Sequence, residues 1–292
     1  LGAPEPIPAV TQLAAPFLRA LLALVVLAAL FFVVERVLAR RRGREQPFFR
    51  RGWGTDAAYL VLTAVITKPL VRGVLVVVAA LLVTAGVVPA EALRTGAFTG
   101  FGPLSQQPLW LQAIEIMVLV DFIGYWTHRM FHRGRWWPFH AVHHSSEDLD
   151  WLGSVRVHPV NELVNRVAHV LPILLLGFNP ALTLAAAPVL TLYAIFLHAN
   201  VNWDFGPLRL VLASPAFHRW HHSRDREAWD KNFAGLLPCW DWLFGTLYLP
   251  RDRAPANFGI HEPMPPGLIG QLRQPFTRNA SPNARDGEKA SP

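Results

Sequence analysis

Two copies of one pattern, His140-x-x-His143-His144 and His218-x-x-His221-His222, stand far apart in the chain. A fold that uses them together must bring two distant segments to one point. A third group, His128-x-x-x-His132, lies just before the first copy, so five of the twelve histidines fall between His128 and His144. On a helix, side chains three or four residues apart share a face. Each group can therefore aim its imidazoles at one place, and imidazole is the commonest protein ligand for a metal ion. A lone histidine on an apolar face is more often structural. Three groups at ligand spacing are not explained by packing or solvation. Eight imidazoles exceed the four ligands zinc normally takes, so two ions sharing the set is the natural count. Zinc has no redox chemistry, whereas iron accepts imidazole and keeps positions open for oxygen. The Glu-x-x-His pairs of carboxylate-rich di-iron bundles and the His-Glu-x-x-His of zinc peptidases are missing from these groups.

The remainder of the chain is built for lipid. Hydrophobic residues make up 52% and charged residues 16% of its 292 residues, against about 25% charged in an ordinary soluble domain, and the mean hydropathy is +0.27. The net charge of +7 collects beside apolar segments, at Arg40-Arg41-Arg42-Gly43-Arg44 and Arg50-Arg51, as on the cytoplasmic flank of a membrane span. No nucleic-acid-binding motif accompanies it, so nucleic acid is not an expected partner. The single cysteine, Cys239, can form no internal disulfide and no thiolate metal site.

The expected architecture is an all-α integral membrane protein with four to five transmembrane or hairpin helices and a cytosol-facing helical cap that carries a histidine-rich di-metal site. Residues 1–108 read as N-terminal membrane helices, 109–250 as the catalytic domain, and 251–292 as a C-terminal extension, disordered at its end. Leu13–Leu38 is the first span, too long and too basic at its C-terminal side for a cleaved signal peptide. Pro69 suggests the start of a helix, so Leu70–Val88 reads as the second span, with one long helix from Ala57 as the competing reading. Leu109–Thr127 is the third span, running inward. Leu163–Leu176 and Pro180–Leu197 form a hairpin around Gly177-Phe178-Asn179-Pro180, a turn signal, which returns His198 to the cytoplasmic side. Nine of the eleven Trp lie between Trp126 and Trp242. Trp favours the membrane interface, so this segment reads as a cap on the headgroups.

Other residues stand beside the histidine groups. His198 ends an apolar helix and reads as a ninth ligand rather than a dipole-stabilising C-terminal histidine. His158 reads equally as ligand or as partner of a ligand. His169 reads as structural and His261 as solvated. Asp121 and Tyr125 share a helix face with His128 and His132. An Asp there is placed to orient a ligand histidine, or else to hydrogen-bond another helix. Arg129, Arg133 and Arg219 could bind lipid phosphates, dock an acidic electron carrier, or simply anchor at the interface. The alternatives to a metal-dependent enzyme are a histidine-rich metal transporter, against which the one-sided placement argues, and a membrane haem cytochrome, against which the His-His doublets argue.

The ordered histidine groups, set in Asp121-Phe-Ile-Gly-Tyr125-Trp-Thr-His128-Arg129, resemble the fatty acid hydroxylase/sterol desaturase superfamily. Lys231-Asn232-Phe233-Ala234-Gly235 and Trp240-Asp241-Trp242-Leu243-Phe244-Gly245-Thr246 are similar to its C-terminal signature. The resemblance covers about Ile114–Pro250. It implies an integral-membrane, non-haem di-iron oxidoreductase with two Fe ions and O2 as co-substrate. Such an enzyme hydroxylates or desaturates a sterol, fatty acyl chain or ether lipid. It implies His128, His132, His140, His143, His144, His198, His218, His221 and His222 as metal ligands. Lipid hydroxylases of the family have a further histidine where this chain has Asn202, so the resemblance leans to the sterol-desaturase-like branch. It also implies electrons from a separate cytochrome b5- or ferredoxin-like protein. The setting implied is a bacterial inner membrane, or the endoplasmic reticulum in a eukaryote, with the active site facing the cytoplasm.

Overall fold

A computed structural model describes residues 22, 25–37, 47, 49–94 and 100–277. Residues 25–37 form a helix, α1. The rest of the expected Leu13–Leu38 span, the basic run Arg40–Arg44 and the expected disordered end beyond residue 277 lie outside the described residues. From residue 49 onward the chain forms a helical body, with one isolated β-bridge, Ser223–Phe258, among the described residues.

The second helix, α2, runs unbroken from Trp53 to Thr84, 32 residues, or about 48 Å at 1.5 Å per residue. The expected break at Pro69 is absent, and the single long helix is the correct reading. Pro69 has no N–H to give to the carbonyl four residues back, and its ring crowds that carbonyl. The helix accommodates this by widening over Thr63–Thr67 into a π-turn, in which the Lys68 N–H reaches the Thr63 carbonyl, a common remedy for such a strain.

Helix α3 spans Leu109–Phe131. The short helix α4, Trp137–His144, follows directly. Helices α5 (Pro159–Leu176) and α6 (Pro180–His198) make the hairpin. Of these long helices, α2, α3 and residues 181–198 of α6 are long and apolar enough to cross a membrane. The outward faces of these three carry Val61, Val65, Leu70, Val77, Ile114 and Val189, all exposed. Helix α5 is more polar, with Asn161, Glu162, Asn165, Arg166 and His169 along it. The hairpin turn depends on Gly177, whose φ is +76°. A Cβ there would stand 2.1 Å from the Phe101 carbonyl oxygen, so only glycine allows the Phe101 N–H to bond the Gly177 carbonyl at 2.8 Å.

The short helices α7 (Pro215–His221), α8 (Cys239–Leu243) and α9 (Gly267–Arg273) complete the body. Part of the C-terminal extension is folded, because Ile260 packs with Trp137 and Ala141 of α4. The start of α2 is fastened to the cap by a buried charge network. Asp56 accepts from Arg50 (2.7 Å) and from Arg156, while Arg50 also binds Asp150. Two cations and two anions offset one another out of water, and the Asp150 carboxylate additionally caps the turn at Leu152 and Gly153. Arg50 is thus a buried structural cation rather than a membrane-flank charge. Arg219 is likewise turned inward, 3% exposed, against the Leu149 and Ala199 carbonyls.

A candidate di-metal centre of nine histidines

The long helices end at one place. Helix α3 delivers His128 in its last turn and His132 just past it, α6 delivers His198 as its last residue, α4 delivers the first His-x-x-His-His triplet, and α7 delivers His218 and His221 with His222 just past its end. Their side chains sort into two groups. His128, His132, His140, His144 and His221 form the first, and His143, His198, His218 and His222 the second. Within each, one ring nitrogen per residue lies within 4.8 Å of all the others. The groups adjoin, with the His144 and His222 rings stacked at 4.3 Å. All but His128 are buried, at 7% exposure or less. The fold therefore gathers every histidine expected as a ligand, including His198, and the doublet His143-His144 is split between the groups.

The hydrogen bonds on the outer side of the rings decide their state. His128 Nδ1–H donates to the Phe233 carbonyl (2.8 Å) and His140 Nδ1–H to Asn161 Oδ1 (2.7 Å). His143 donates to the Arg156 carbonyl (3.1 Å), His198 to Ala194 (2.7 Å) and His221 to Lys231 (2.7 Å). A neutral imidazole has one N–H, so in each of these rings Nε2 is left with a bare lone pair. Two such lone pairs then face each other in each group. His128 Nε2 stands 3.0 Å from His140 Nε2, and His143 Nε2 stands 3.1 Å from His198 Nε2. Neither pair has a proton to share. Protonation is opposed, because burial first and neighbouring imidazoles second hold His143, His144, His218 and His222 well below the usual 6.5. A cation between two facing acceptors out of water satisfies both, and at metal–nitrogen bonds of about 2.1 Å two ligands at a right angle stand ~3.0 Å apart. The donor set, the tautomers and the spacing all fit one ion in each group.

The other expected site residues lie outside the groups. Asp121 does not touch a histidine. Its carboxylate accepts from the Leu236 and Leu237 N–H groups (2.8 and 2.9 Å) and from Trp240 Nε1 (3.0 Å). Tyr125 bonds Thr246 Oγ1 (3.0 Å) and accepts from Arg129. Both fix the segment 231–246 and so act on the histidines through it, since Lys231 and Phe233 supply the carbonyls to His221 and His128. Asn202 is exposed. His158 caps α5, accepting from the Val160 N–H (3.1 Å), and donates to the Leu272 carbonyl (3.2 Å). His169 sits against Gly124 of α3, where a Cβ would come within 3.3 Å, and the exposed His261 packs on Trp229.

Residues not singled out as site residues complete the support. Asn161 orients His140. Asp230 Oδ1 lies 3.4 Å from His132 Nδ1. Asp241 accepts from the Phe233 and Ala234 N–H groups and from Thr246. Asn232, at φ +59°, binds the Phe217 and Tyr248 backbone. The ring partners are mostly backbone carbonyls, which leave no mark in a sequence.

Residues 113–246 match the model of the fatty acid hydroxylase family. An ornithine lipid hydroxylase from Rhizobium tropici is 33% identical over 174 residues, 59% of this chain and 53% of that protein. Human alkylglycerol monooxygenase (Homo sapiens) is 36% identical over 146 residues, 50% of this chain and 32% of that protein. A very-long-chain aldehyde decarbonylase from Oryza sativa subsp. indica is 28% identical over 151 residues, 47% of this chain and 24% of that protein. The chain thus spans about half of the first relative and a third or less of the others. No solved structure matches it. The family match encloses all nine clustered histidines and the segment that orients them, and over these residues the chain is similar to the fatty acid hydroxylase family.

Proposed function

We propose that this chain is a membrane-embedded, non-haem di-iron oxidoreductase that uses O2 to hydroxylate or desaturate a C–H bond of a lipid. The observation that carries the reading is the pair of facing, proton-free Nε2 atoms in each histidine group, which asks for two cations side by side. Iron, when bound there, supplies the activation of dioxygen and the oxidising power needed for an unactivated C–H bond. His128, His132, His140, His144 and His221 would hold one ion, and His143, His198, His218 and His222 the other. The chain's own part is to fix the rings through the carbonyls of Phe233, Lys231, Arg156 and Ala194 and the Asn161 amide. It also keeps water from the ligand nitrogens and presents the site at the end of lipid-facing helices.

The relatives act, by name, on ornithine lipids, alkylglycerols and very-long-chain aldehydes. All are lipids, and a membrane lipid is the substrate class we infer. Electrons would come from a separate carrier protein, with the histidine end of the helices on the cytoplasmic side. The placement of histidines speaks against the two alternative readings. Among the described residues, His169 alone lies midway along a long helix, so no ladder of ligands crosses the membrane. A haem pocket is not compatible with neighbouring histidine rings packed 4.3–6.5 Å apart in the cluster.

The test is turnover by purified, iron-loaded protein in lipid, given a reductant and 18O2. Either 18O appears in a lipid product or a double bond is formed, and both are lost in His143→Ala and His221→Ala. Equal turnover by iron-free protein would refute the reading.

A further inference from the structure

Two loops lie beside the histidine-bearing ends of α3 and α6, on the membrane side of the site. One contains α8. Its Trp240 packs on Phe122 (5.0 Å) and donates to Asp121, and the adjoining Phe244 packs on Trp126 (4.9 Å) and Tyr125 (5.3 Å). These α3 residues precede His128 by two to seven positions, or about 3–10 Å along the helix axis. Helix α8 therefore lies alongside the span, below the level of the histidines. Trp242 and Leu243 point away from the protein, 72% and 59% exposed. The second loop, 203–213, is set at the same level on α6. Phe205 stacks on Phe196, and Tyr193 donates to the Ala213 carbonyl. It turns Leu208 and Val211 outward, each 55% exposed. The Ala213 N–H bonds the Leu236 carbonyl at 2.8 Å, which joins the two loops.

We propose that these loops form one shelf that lies in the headgroup–acyl boundary of the bilayer, with Trp242, Leu243, Leu208 and Val211 in lipid. This is a membrane-contact surface additional to the spanning helices. Two observations choose a bilayer over a protein as the occupant. The shelf continues the exposed apolar face of α3, where Ile114, Val118 and Trp126 are also uncovered. Charge follows apolarity along the same axis, with Arg129 stacked over Trp126 (5.5 Å) and Lys231 held at the Gly245 carbonyl (3.2 Å). That is the order of a lipid interface, apolar first and cationic at the phosphates. The proposal rests on the reading of α3 and α6 as membrane spans and is independent of the metal chemistry.

Cys239, the single cysteine of the chain, lies exposed in the α8 loop and gives a probe without mutation. The full chain, labelled there with an environment-sensitive fluorophore, is placed in vesicles of phosphatidylcholine with phosphatidylglycerol. Quenching by a lipid carrying a nitroxide near its headgroup is compared with quenching by aqueous iodide. The reference is the same label at Glu227→Cys in a Cys239→Ser background, since Glu227 is 61% exposed on the cap. The label at Cys239 is expected to be quenched several-fold more by the lipid and several-fold less by iodide than the reference. Trp242→Ser with Leu243→Ser is expected to shift it toward the reference while bound iron stays unchanged, because neither side chain is packed inside. Equal iodide quenching at both positions would overturn the proposal. So would shielding from both quenchers, which would assign the surface to a protein partner.

Discussion

Asn161→Ala tests how the histidines are held while leaving every histidine in place. Asn161 is 2% exposed, and its Oδ1 accepts the His140 Nδ1–H at 2.7 Å. Removing that acceptor leaves a buried donor, a cost of about 1–3 kcal/mol. The ring has a way out. If the proton moves to Nε2, it can be donated to the bare Nε2 of His128 at 3.0 Å. The metal-free protein then loses one hydrogen bond and gains another, and its thermal stability should change by less than about 1 kcal/mol. The metal-bound form cannot follow, because His140 would no longer present a lone pair. The two states therefore separate, and iron affinity should fall about 10- to 100-fold, the usual cost of losing a ligand's outer partner. Asn161→Asp keeps an acceptor and should retain iron. The assay is competition against a chelator together with thermal unfolding of iron-free protein. Undiminished iron affinity in Asn161→Ala would refute the tautomer argument. Equal destabilisation of the metal-free and metal-bound forms would show Asn161 to be merely structural.

Three further outcomes follow from the same geometry. Asp56→Asn leaves Arg50 and Arg156 facing each other with one carboxylate fewer in a dry network, and should destabilise the protein by about 3–5 kcal/mol in thermal unfolding. His158→Ala should retain iron and activity while costing roughly 1 kcal/mol for the lost cap on α5; loss of one iron instead would place His158 among the ligands. Burial pushes the Asp241 carboxyl up to about 6. Below that pH the folded protein holds it protonated, and one of its bonds from Phe233, Ala234 or Thr246 weakens. A raised folded pKa means that this group favours the folded state at acid pH and loses that contribution as pH rises from about 4 through 6. The carbonyls offered to His128 and His221 are instead best fixed above pH 6. Activity should fall below about pH 6 in the wild type, and Asp241→Asn should be low and flat across that range.

The histidines were legible because ligand geometry is written in local spacing. His128 to His132 is one helical turn, and each His-x-x-His-His places neighbours on one face. His198 was legible from its position at the end of an apolar helix returning to the same side. What holds the rings was not legible. Four of the five outer acceptors are backbone carbonyls, identical for every residue type, and they are set by loops whose shape depends on Asp121, Asn232 and Asp241. Asp121 lies on the expected face of α3, but its carboxylate finds backbone N–H groups more than a hundred residues away. The same distance hides the Arg50–Asp56–Arg156–Asp150 network, since nothing local distinguishes a buried Arg50 from the exposed Arg51 beside it. The continuity of α2 through Pro69 was open in the sequence for a related reason. A proline favours the first turn of a helix, and here the π-turn before Pro69 lets the helix run on against that local preference.

The central claim is that the nine clustered histidines hold two irons. Metal analysis with Mössbauer spectroscopy on protein purified from iron-57-supplied cells tests it most directly. About two non-haem irons per chain in nitrogen-rich environments are expected, with binding disrupted in both His143→Ala and His221→Ala, one variant from each group. A single iron, a haem spectrum, or full iron occupancy in both variants would contradict it.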